Sequence, residues 1–491
     1  MKFLEILVFG IYGLCLAFIF CYSLVQLQLT GLYLWFKRKE QKIPEPGLTL
    51  AEWPSVTVQL PVYNEKYVVE RLIDAIMALD YPDGQLEVQV LDDSTDETRT
   101  LVAARILHYH DTGRKIRHIT RPDRQGFKAG ALAHALPLAT GEFIAVFDAD
   151  FLPRPDFLLQ TMPAFGASDI GVVQTRWGHL NQDYSLLTQL QAFGLNAHFT
   201  IEQVGRNRGG HFINFNGTGG VWRKSCILDA GSWQPDTLTE DLDLSYRAQL
   251  RNWKFIYLEQ VEAPAELPAS MPAIKSQQFR WTKGAAETTR KNLMPVLGSR
   301  HPLLTKVNAV FHLLNSTVFV GVLLAAVLSI PILFLKKDAS LTARTLSFSF
   351  SYAISLLALL AFYWVSFRER NQAAGWAAFL FLPRFFLFLC LTMGLSLHNT
   401  IAVMEGYLGI KTPFVRTPKF NLRGQQDSWQ NSSYAVHRVS PSTWLEGLLS
   451  LYFLGGIVLG FYLQDYVMLP FHVMLSLGFG LVCFYSVKHS R

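Results

Sequence analysis

Two carboxylates one residue apart, Asp148 and Asp150, close the apolar run 142–147, EFIAVF. On an extended segment, residues i and i+2 point the same way, so both can face one cation. Hard oxygen ligands suit Mg²⁺ or Mn²⁺, which usually bind through one or two carboxylates plus substrate phosphates. Such a metal would neutralise charge building on a diphosphate leaving group. The plainer alternative is a solvated turn, and the position directly after a buried-strand pattern argues against it. Asp92-Asp93-Ser94 ends a second apolar run, 86–91, LEVQVL, in the same register. A carboxylate that contacts a nucleotide is the chemical expectation there. A turn capped by Thr95 or Asp96 before the next helix is the structural one.

Three further segments add chemistry. Lys128, within Gly126-Phe127-Lys128-Ala129-Gly130, offers a cation beside a diphosphate, with glycines that permit close backbone approach. Thr239-Glu240-Asp241 leads into DLDLSYRAQL, and Asp241 is the candidate general base for an acceptor hydroxyl. The same three residues also read as a helix start, with Thr239 as cap and Glu240 in an acidic first turn. Gln277, Arg280 and Trp281 lie at i, i+3 and i+4, on one helical face. Tryptophan suits stacking on a sugar, and arginine suits holding a phosphate or carboxylate. The plainer reading is an interfacial helix, which Lys283, Arg290 and Lys291 also fit.

The elements that must position these residues follow from the apolar pattern. Strands are expected at 55–62, 86–91, 116–120 and 142–147, with helices at 65–79, 97–108 and 128–138. This βαβα rhythm predicts an α/β fold with a parallel sheet covered by helices. In such sheets ligands gather at the carboxyl ends of the strands. Tyr63-Asn64-Glu65, Asp92-Asp93 and Asp148-Ala149-Asp150 all fall there.

The chain has 491 residues, half of them hydrophobic and only 17% charged, a balance that points to a membrane protein. The net charge of +6 forms no nucleic-acid patch, so no nucleic-acid partner is expected. Five cysteines without a CxxC pair exclude a disulfide framework and a zinc site as expectations. Apolar runs long enough for about 30 Å of hydrocarbon occur near 4–36, 308–335, 346–367, 375–399, 444–463 and 467–487. The first is too long for a signal peptide and reads as a retained span closed by Lys37, Arg38, Lys39 and Lys42. The resulting division is a membrane helix with a basic segment (1–48), a catalytic domain (49–300) and a membrane domain (301–491).

Taken together, the four motifs resemble the D, D, D, QxxRW pattern of family-2 glycosyltransferases of the cellulose-synthase-like and hyaluronan-synthase-like group. Ser396-Leu397-His398-Asn399-Thr400 and Phe414-Val415-Arg416-Thr417-Pro418-Lys419 resemble plant-type glucomannan synthases and the gating loop of cellulose synthases. Phe215-Asn216-Gly217-Thr218 is similar to the family's acceptor-side FxGT segment. The resemblance implies a GT-A fold, a nucleoside-diphosphate sugar donor (UDP or GDP) and inversion at the anomeric carbon. It implies nucleotide-sugar contacts from Tyr63, Glu65, Asp92 or Asp93, Lys128 and Asp148, with the metal on Asp148 and Asp150. It further implies catalysis by Asp241 within Thr239-Glu240-Asp241. Gly217, Thr218, Gln277, Arg280 and Trp281 would lie near acceptor and diphosphate, and Phe414, Arg416, Thr417 and Lys419 on a gating-type loop over 411–423.

Donor sugars of this kind are cytoplasmic, and the basic cluster after the first run then obeys the positive-inside rule. Counting 375–399 as a full span would place Lys411, Arg416, Lys419 and Arg423 outside, so the segment 375–404, with Pro383-Arg384 inside it, is expected to be interfacial or re-entrant. Five spans follow, with Lys336 and Lys337 as exceptions to the charge rule. The catalytic domain then faces the cytoplasm, at a bacterial inner membrane or a Golgi-type membrane. The functional expectation is a processive synthase of a β-linked mannan, glucomannan or glucan, coupled to secretion. The alternative is single addition to a ceramide or polyprenyl lipid. A degenerate transporter or scaffold is disfavoured because every motif carboxylate is present.

Overall fold

The computed structural model describes residues 2–39, 53–110, 113–335, 339–371, 375–422, 424, 427–430, 432–434 and 439–490. Lys42, Lys336, Lys337 and Arg423 lie outside the described residues. The elements run α1 (Lys2–Arg38), β1 (Val56–Val62), α2 (Val69–Met77), β2 (Leu86–Asp92), α3 (Thr98–Tyr109), β3 (Lys115–Thr120), α4 (Phe127–Ala135), β4 (Phe143–Val146), α5 (Phe157–Thr161), β5 (Ile170–His179), α6 (Leu186–Ala197) and α7 (Gln203–Arg208). They continue β6 (Gly220–Arg223), α8 (Lys224–Asp229), α9 (Glu240–Leu250), β7 (Lys254–Ala265), α10 (Met271–Gly298), α11 (Leu303–Leu313), α12 (Val318–Leu335), α13 (Ala339–Arg370), α14 (Trp376–Gly394), α15 (Ser396–Leu408), α16 (Pro441–Tyr462) and α17 (Leu469–Lys488).

The continuous apolar runs become strands buried on both faces, as a helix-covered parallel sheet requires. One seven-stranded sheet has the order β3-β2-β1-β4-β6-β5-β7. β1 pairs in parallel with β2, with Val62 opposite Asp92, and with β4, with Gln59 opposite Val146. The chain steps outward from β1 to β3 and returns to β4 on the other side of β1. This reversal is the switch point where a crevice opens at the strand ends. The sequence pattern did not resolve the other half of the sheet. There β6 runs antiparallel between β4 and β5, and β7 pairs in parallel with β5. β6 is four residues long and β5 ends in the polar TRWGH, so neither shows a clear period.

The helix expected from residue 65 begins at Val69. The intervening turn holds Asn64 at φ 54, a left-handed backbone that asparagine tolerates. Asn64 ties this turn to the neighbouring one. Its N–H donates to Ser94 Oγ at 2.9 Å, and its Oδ1 accepts from Thr95 N at 2.8 Å.

One hydrophobic core lies beneath α2 and α3. A second lies on the opposite face, where Val25, Leu29 and Tyr33 of α1 pack with Phe199, Phe215 and Trp222. Gln26 of α1 donates to Glu202 at 2.7 Å. The first apolar helix is thus part of the catalytic domain's own packing.

Among the described residues, five helices are long and apolar enough to cross a membrane: Phe3–Arg38, Leu303–Leu335, Ser351–Arg370, Pro441–Tyr462 and Leu469–Lys488. The pair Ala378–Gly394 and Ser396–Leu408 is bent by 48° at its break. Lys283 and Lys291, which the sequence pattern allowed at a membrane interface, instead make internal ion pairs. Lys283 of α10 is fully buried and reaches Glu405 at 3.0 Å and Thr412 at 2.6 Å. Lys291 reaches Asp243 at 3.0 Å. A periodic row of lysines carries no sign of partners that lie far away in sequence.

Candidate active site

The strand ends, the start of α9, one face of α10 and the segment 414–419 line one cavity of about 190 Å³. Tyr63, Glu65, Asp93, Lys128, Asp148, Asp150, Gly217, Thr239, Glu240, Asp241, Gln277, Arg280, Trp281, Phe414, Arg416, Thr417 and Lys419 all contribute to its wall. Residues scattered over more than 350 positions therefore converge.

Two expected members stand apart. Asp92 is only 3% exposed and lines no part of the cavity. Its Oδ1 accepts from Ser94 N at 2.9 Å and its Oδ2 meets His118 Nε2 at 2.9 Å, so it holds the turn. Asp93 is the one that reaches the wall, gripped by Arg121 through Nε at 3.0 Å and Nη2 at 2.5 Å. Thr218 lies behind the wall, where its Oγ accepts from Asp148 N at 2.9 Å and fixes the turn after β4. Thr239 occupies the cap position of α9 without making a side-chain cap bond. Its hydroxyl meets Thr288 Oγ1 at 3.2 Å.

The electrostatics around Asp241 follow from burial. Lys128 Nζ donates to Asp148 Oδ1 at 2.6 Å and to Gly217 O at 2.9 Å, and it lies 3.9 Å from Glu240 Oε1. Burial acts to lower the lysine pKa, but Asp148 and Glu240 outweigh it and raise it, so the side chain is a cation. Burial pushes the Asp241 carboxyl up to about 7, the Glu240 charge adds to the rise and Lys128 opposes it. Glu240 is raised as well, again chiefly by burial. Gly217 has φ +79, and a Cβ there would sit 3.0 Å from Asp241 Oδ2 and 3.5 Å from Lys128 Nζ. Glycine is thus required both by the backbone and by the approach of the two charged groups.

The segment 414–419, which follows α15, closes the cavity. Arg416 Nη1 pairs with Glu65 Oε2 at 2.7 Å, and Arg280 Nη2 donates to Thr417 Oγ1 at 2.7 Å. Lys419 Nζ donates to Asp150 Oδ2 at 2.6 Å and to Glu266 O at 3.0 Å. Phe414 stacks on Phe127 with ring centroids 5.5 Å apart. Arg124, which sequence patterns did not single out, lies flat on Tyr63 with its guanidinium carbon 3.3 Å from the ring centroid. Its only signal was two arginines in a polar turn, RPDRQ.

The donor set fits a hard divalent cation. Asp148 and Asp150 present carboxylates to the same cavity, on a wall that also carries Glu65, paired with Arg416. Among the described residues no group of three or more His, Cys, Asp or Glu is arranged to hold a metal unaided. Two protein carboxylates with the remaining positions left to phosphates and water is the usual Mg²⁺ pattern.

Residues 54–284 match the family model described as Glycosyltransferase like family 2. The chain is similar to Glucomannan 4-beta-mannosyltransferase 1 of Oryza sativa subsp. japonica, 40% identical over 267 residues, 53% of this chain and 51% of that protein. It is similar to Glucomannan 4-beta-mannosyltransferase 2 of Arabidopsis thaliana, 40% identical over 255 residues, 51% of this chain and 48% of that protein. The chain spans about half the length of the curated relatives it matches. Among solved structures it is similar to the mannosyltransferase PcManGT from Pyrobaculum calidifontis in complex with GDP-Man and Mn²⁺. The TM-score is 0.55 at 18% identity, covering 81% of this chain and all of that one. That likeness concerns the fold, which is GT-A.

Proposed function

Residues 54–284 belong to glycosyltransferase family 2, and from that premise we propose that the protein is a membrane-embedded, inverting synthase of a β-linked glycan built from mannose or glucose. The observation that carries this reading is the convergence of Asp148, Asp150, Lys128 and Asp241 with Arg280 and Trp281 in one cavity, closed by a segment of the membrane domain. The donor is a UDP- or GDP-hexose. The GDP-Man in PcManGT and the mannosyltransferase relatives favour mannose.

Asp241 takes the proton from an acceptor hydroxyl, and the oxygen attacks the anomeric carbon as the nucleoside diphosphate leaves. Lys128 and Arg280 hold the departing diphosphate. Asp148 and Asp150 would hold Mg²⁺ or Mn²⁺, which when bound neutralises charge on that leaving group. Tyr63, Glu65 and Asp93 face the nucleotide. Thr239 and Glu240 set the base at the start of α9, and Gly217, Gln277 and Trp281 flank the acceptor. Small-molecule sites ordinarily enclose roughly 300–1,000 Å³. The segment Phe414–Lys419 fills part of the space a donor needs, so it withdraws for loading and closes afterwards. The acceptor is the growing glycan, extruded between the membrane helices, and the catalytic domain faces the cytoplasm.

The test is nucleoside diphosphate release by the purified protein with a panel of UDP- and GDP-hexoses, with Mg²⁺, Mn²⁺ or chelator. The reading requires turnover of GDP-mannose or a UDP- or GDP-glucose that chelation stops. Turnover of none of the panel would overturn it.

A further inference from the structure

After the wall segment 414–419 the chain passes Trp429 and returns to the site at residues 432–434. There Tyr434 packs on Arg416, with the guanidinium carbon 4.3 Å from the ring centroid. Arg416 is the group that reaches Glu65 in the cavity at 2.7 Å. The stretch between is itself anchored. Trp429 is buried with Leu422 and Ala269, and its ring lies 6.2 Å from Phe420 and 5.2 Å from His489, just beyond α17. Tyr184 donates to Asp427 O at 3.2 Å.

Tyr434 joins parts of the catalytic face that only the fold brings together. Its hydroxyl donates to Asp96 Oδ2, in the turn after β2. Burial and the Asp96 carboxylate push that hydroxyl up to about 12, so it stays protonated and keeps donating. Asp96 is fixed in turn, because its Oδ1 accepts from Thr98 N at 3.0 Å at the start of α3. The Tyr434 ring meets Tyr67, in the turn after β1, edge to face with centroids 5.3 Å apart at 81°. Tyr67 Oη lies 3.3 Å from Ser433 Oγ and accepts from Ser433 N at 3.4 Å. A ring whose hydroxyl and neighbour are held by two turns fixes where the guanidinium packed on it can sit. Tyr434, Tyr67 and Asp96 line no part of the cavity, so whatever they do to it passes through Arg416.

We propose that Tyr434 is a positioning residue: it latches Arg416 onto Glu65 and thereby sets how often the segment Phe414–Lys419 opens to the donor. The inference rests on the reading of that segment as the wall that withdraws for loading, and it names the residue that holds the wall closed. The latch bears on the segment and not on the donor. It therefore stabilises the closed position equally with the cavity empty or filled. Weakening it speeds entry and exit together and leaves affinity nearly unchanged. A residue that touched the nucleotide would instead act mainly on exit.

The experiment measures stopped-flow binding of fluorescently labelled GDP and UDP to full-length protein, together with the rate of tryptic nicking after Lys419. The proteins are wild type, Tyr434→Ala, Tyr434→Phe, Arg416→Ala and the double variant of Arg416→Ala with Tyr434→Ala. Loss of a cation–π contact and a hydrogen bond corresponds to about tenfold. In Tyr434→Ala the association rate, the dissociation rate and the nicking rate should all rise by that factor, with Kd kept within about threefold. Tyr434→Phe keeps the ring and should recover most of the effect. In the Arg416→Ala background, Tyr434→Ala should add less than about twofold, because it acts through Arg416. Unchanged rates in Tyr434→Ala would overturn the latch. So would effects that multiply in the double variant, or a rise in dissociation alone with a weaker Kd. A wild type that binds neither GDP nor UDP would sink the donor reading instead, and nicking, which needs no nucleotide, would still decide the latch.

Discussion

Asp241 is the residue on which the proposed chemistry turns. A base works only when ionised, and burial favours its protonated form. Activity should therefore fall as pH drops through about 7, and kcat/KM should rise with pH along that limb. A limb near the ordinary carboxylate value of about 4 would show that Asp241 is not the group titrating. Asp241→Asn should cost roughly 10²–10⁴-fold in kcat, the usual range for a lost general base. Calorimetric binding of the donor's nucleoside diphosphate should stay within about threefold, since Lys128 and Arg280 are the proposed phosphate contacts. At this scale the sequence was informative where spacing encodes direction. The i, i+2 pair Asp148 and Asp150 and the helical face Gln277, Arg280 and Trp281 both reach the cavity. It was silent where two adjacent residues had to be told apart. Only the strand's last turn decides that Asp92 faces inward and Asp93 outward.

Among the contacts between α10 and the start of α9 that place Asp241, one is especially close. α10 passes the start of α9 at Gly284, where a Cβ would lie 2.6 Å from Thr239 Cγ2 and 2.8 Å from Thr239 N. Gly284→Ala must push the Thr239–Asp241 turn away, at a cost of about 1–3 kcal/mol for overpacking. The expected outcome is a modestly lowered melting temperature together with a large loss of kcat, measured on the same preparation. An alanine variant with full kcat would show that the turn's position is not set by α10. The parallel strands β1, β2 and β4 were legible because each is a largely apolar run followed by turn residues, and β3, at the sheet edge, as the short alternating run KIRHIT. β7 was not, since KFIYLEQVEAPA mixes both faces and carries a register shift against β5. The stretch of cavity wall at the end of β5 was hidden with it, and so were Trp177 and His179.

At the scale of the whole molecule, the cavity is packed against helices long and apolar enough to cross a membrane. α1 packs into the second core beneath the sheet, and α10 is tied to α15 and α16 by two ion pairs. These are Lys283 with Glu405 at 3.0 Å and Lys275 with Glu446 at 2.6 Å. α14 and α15 meet at a bend of 48°, and the segment that follows them lines the cavity. With five crossings and this pair not spanning, tags at the two termini should lie on opposite faces of the membrane. Tags on the same face would make the bent pair a sixth span. The account's central claim is repeated β-transfer by one chain, and product length tests it most directly. Purified protein reconstituted in vesicles, given radiolabelled GDP-mannose or UDP-glucose with Mn²⁺, should yield a β-linked polymer of many residues that a β-mannanase or β-glucanase degrades. A single labelled sugar extracted with lipid, or no product at all, would contradict it.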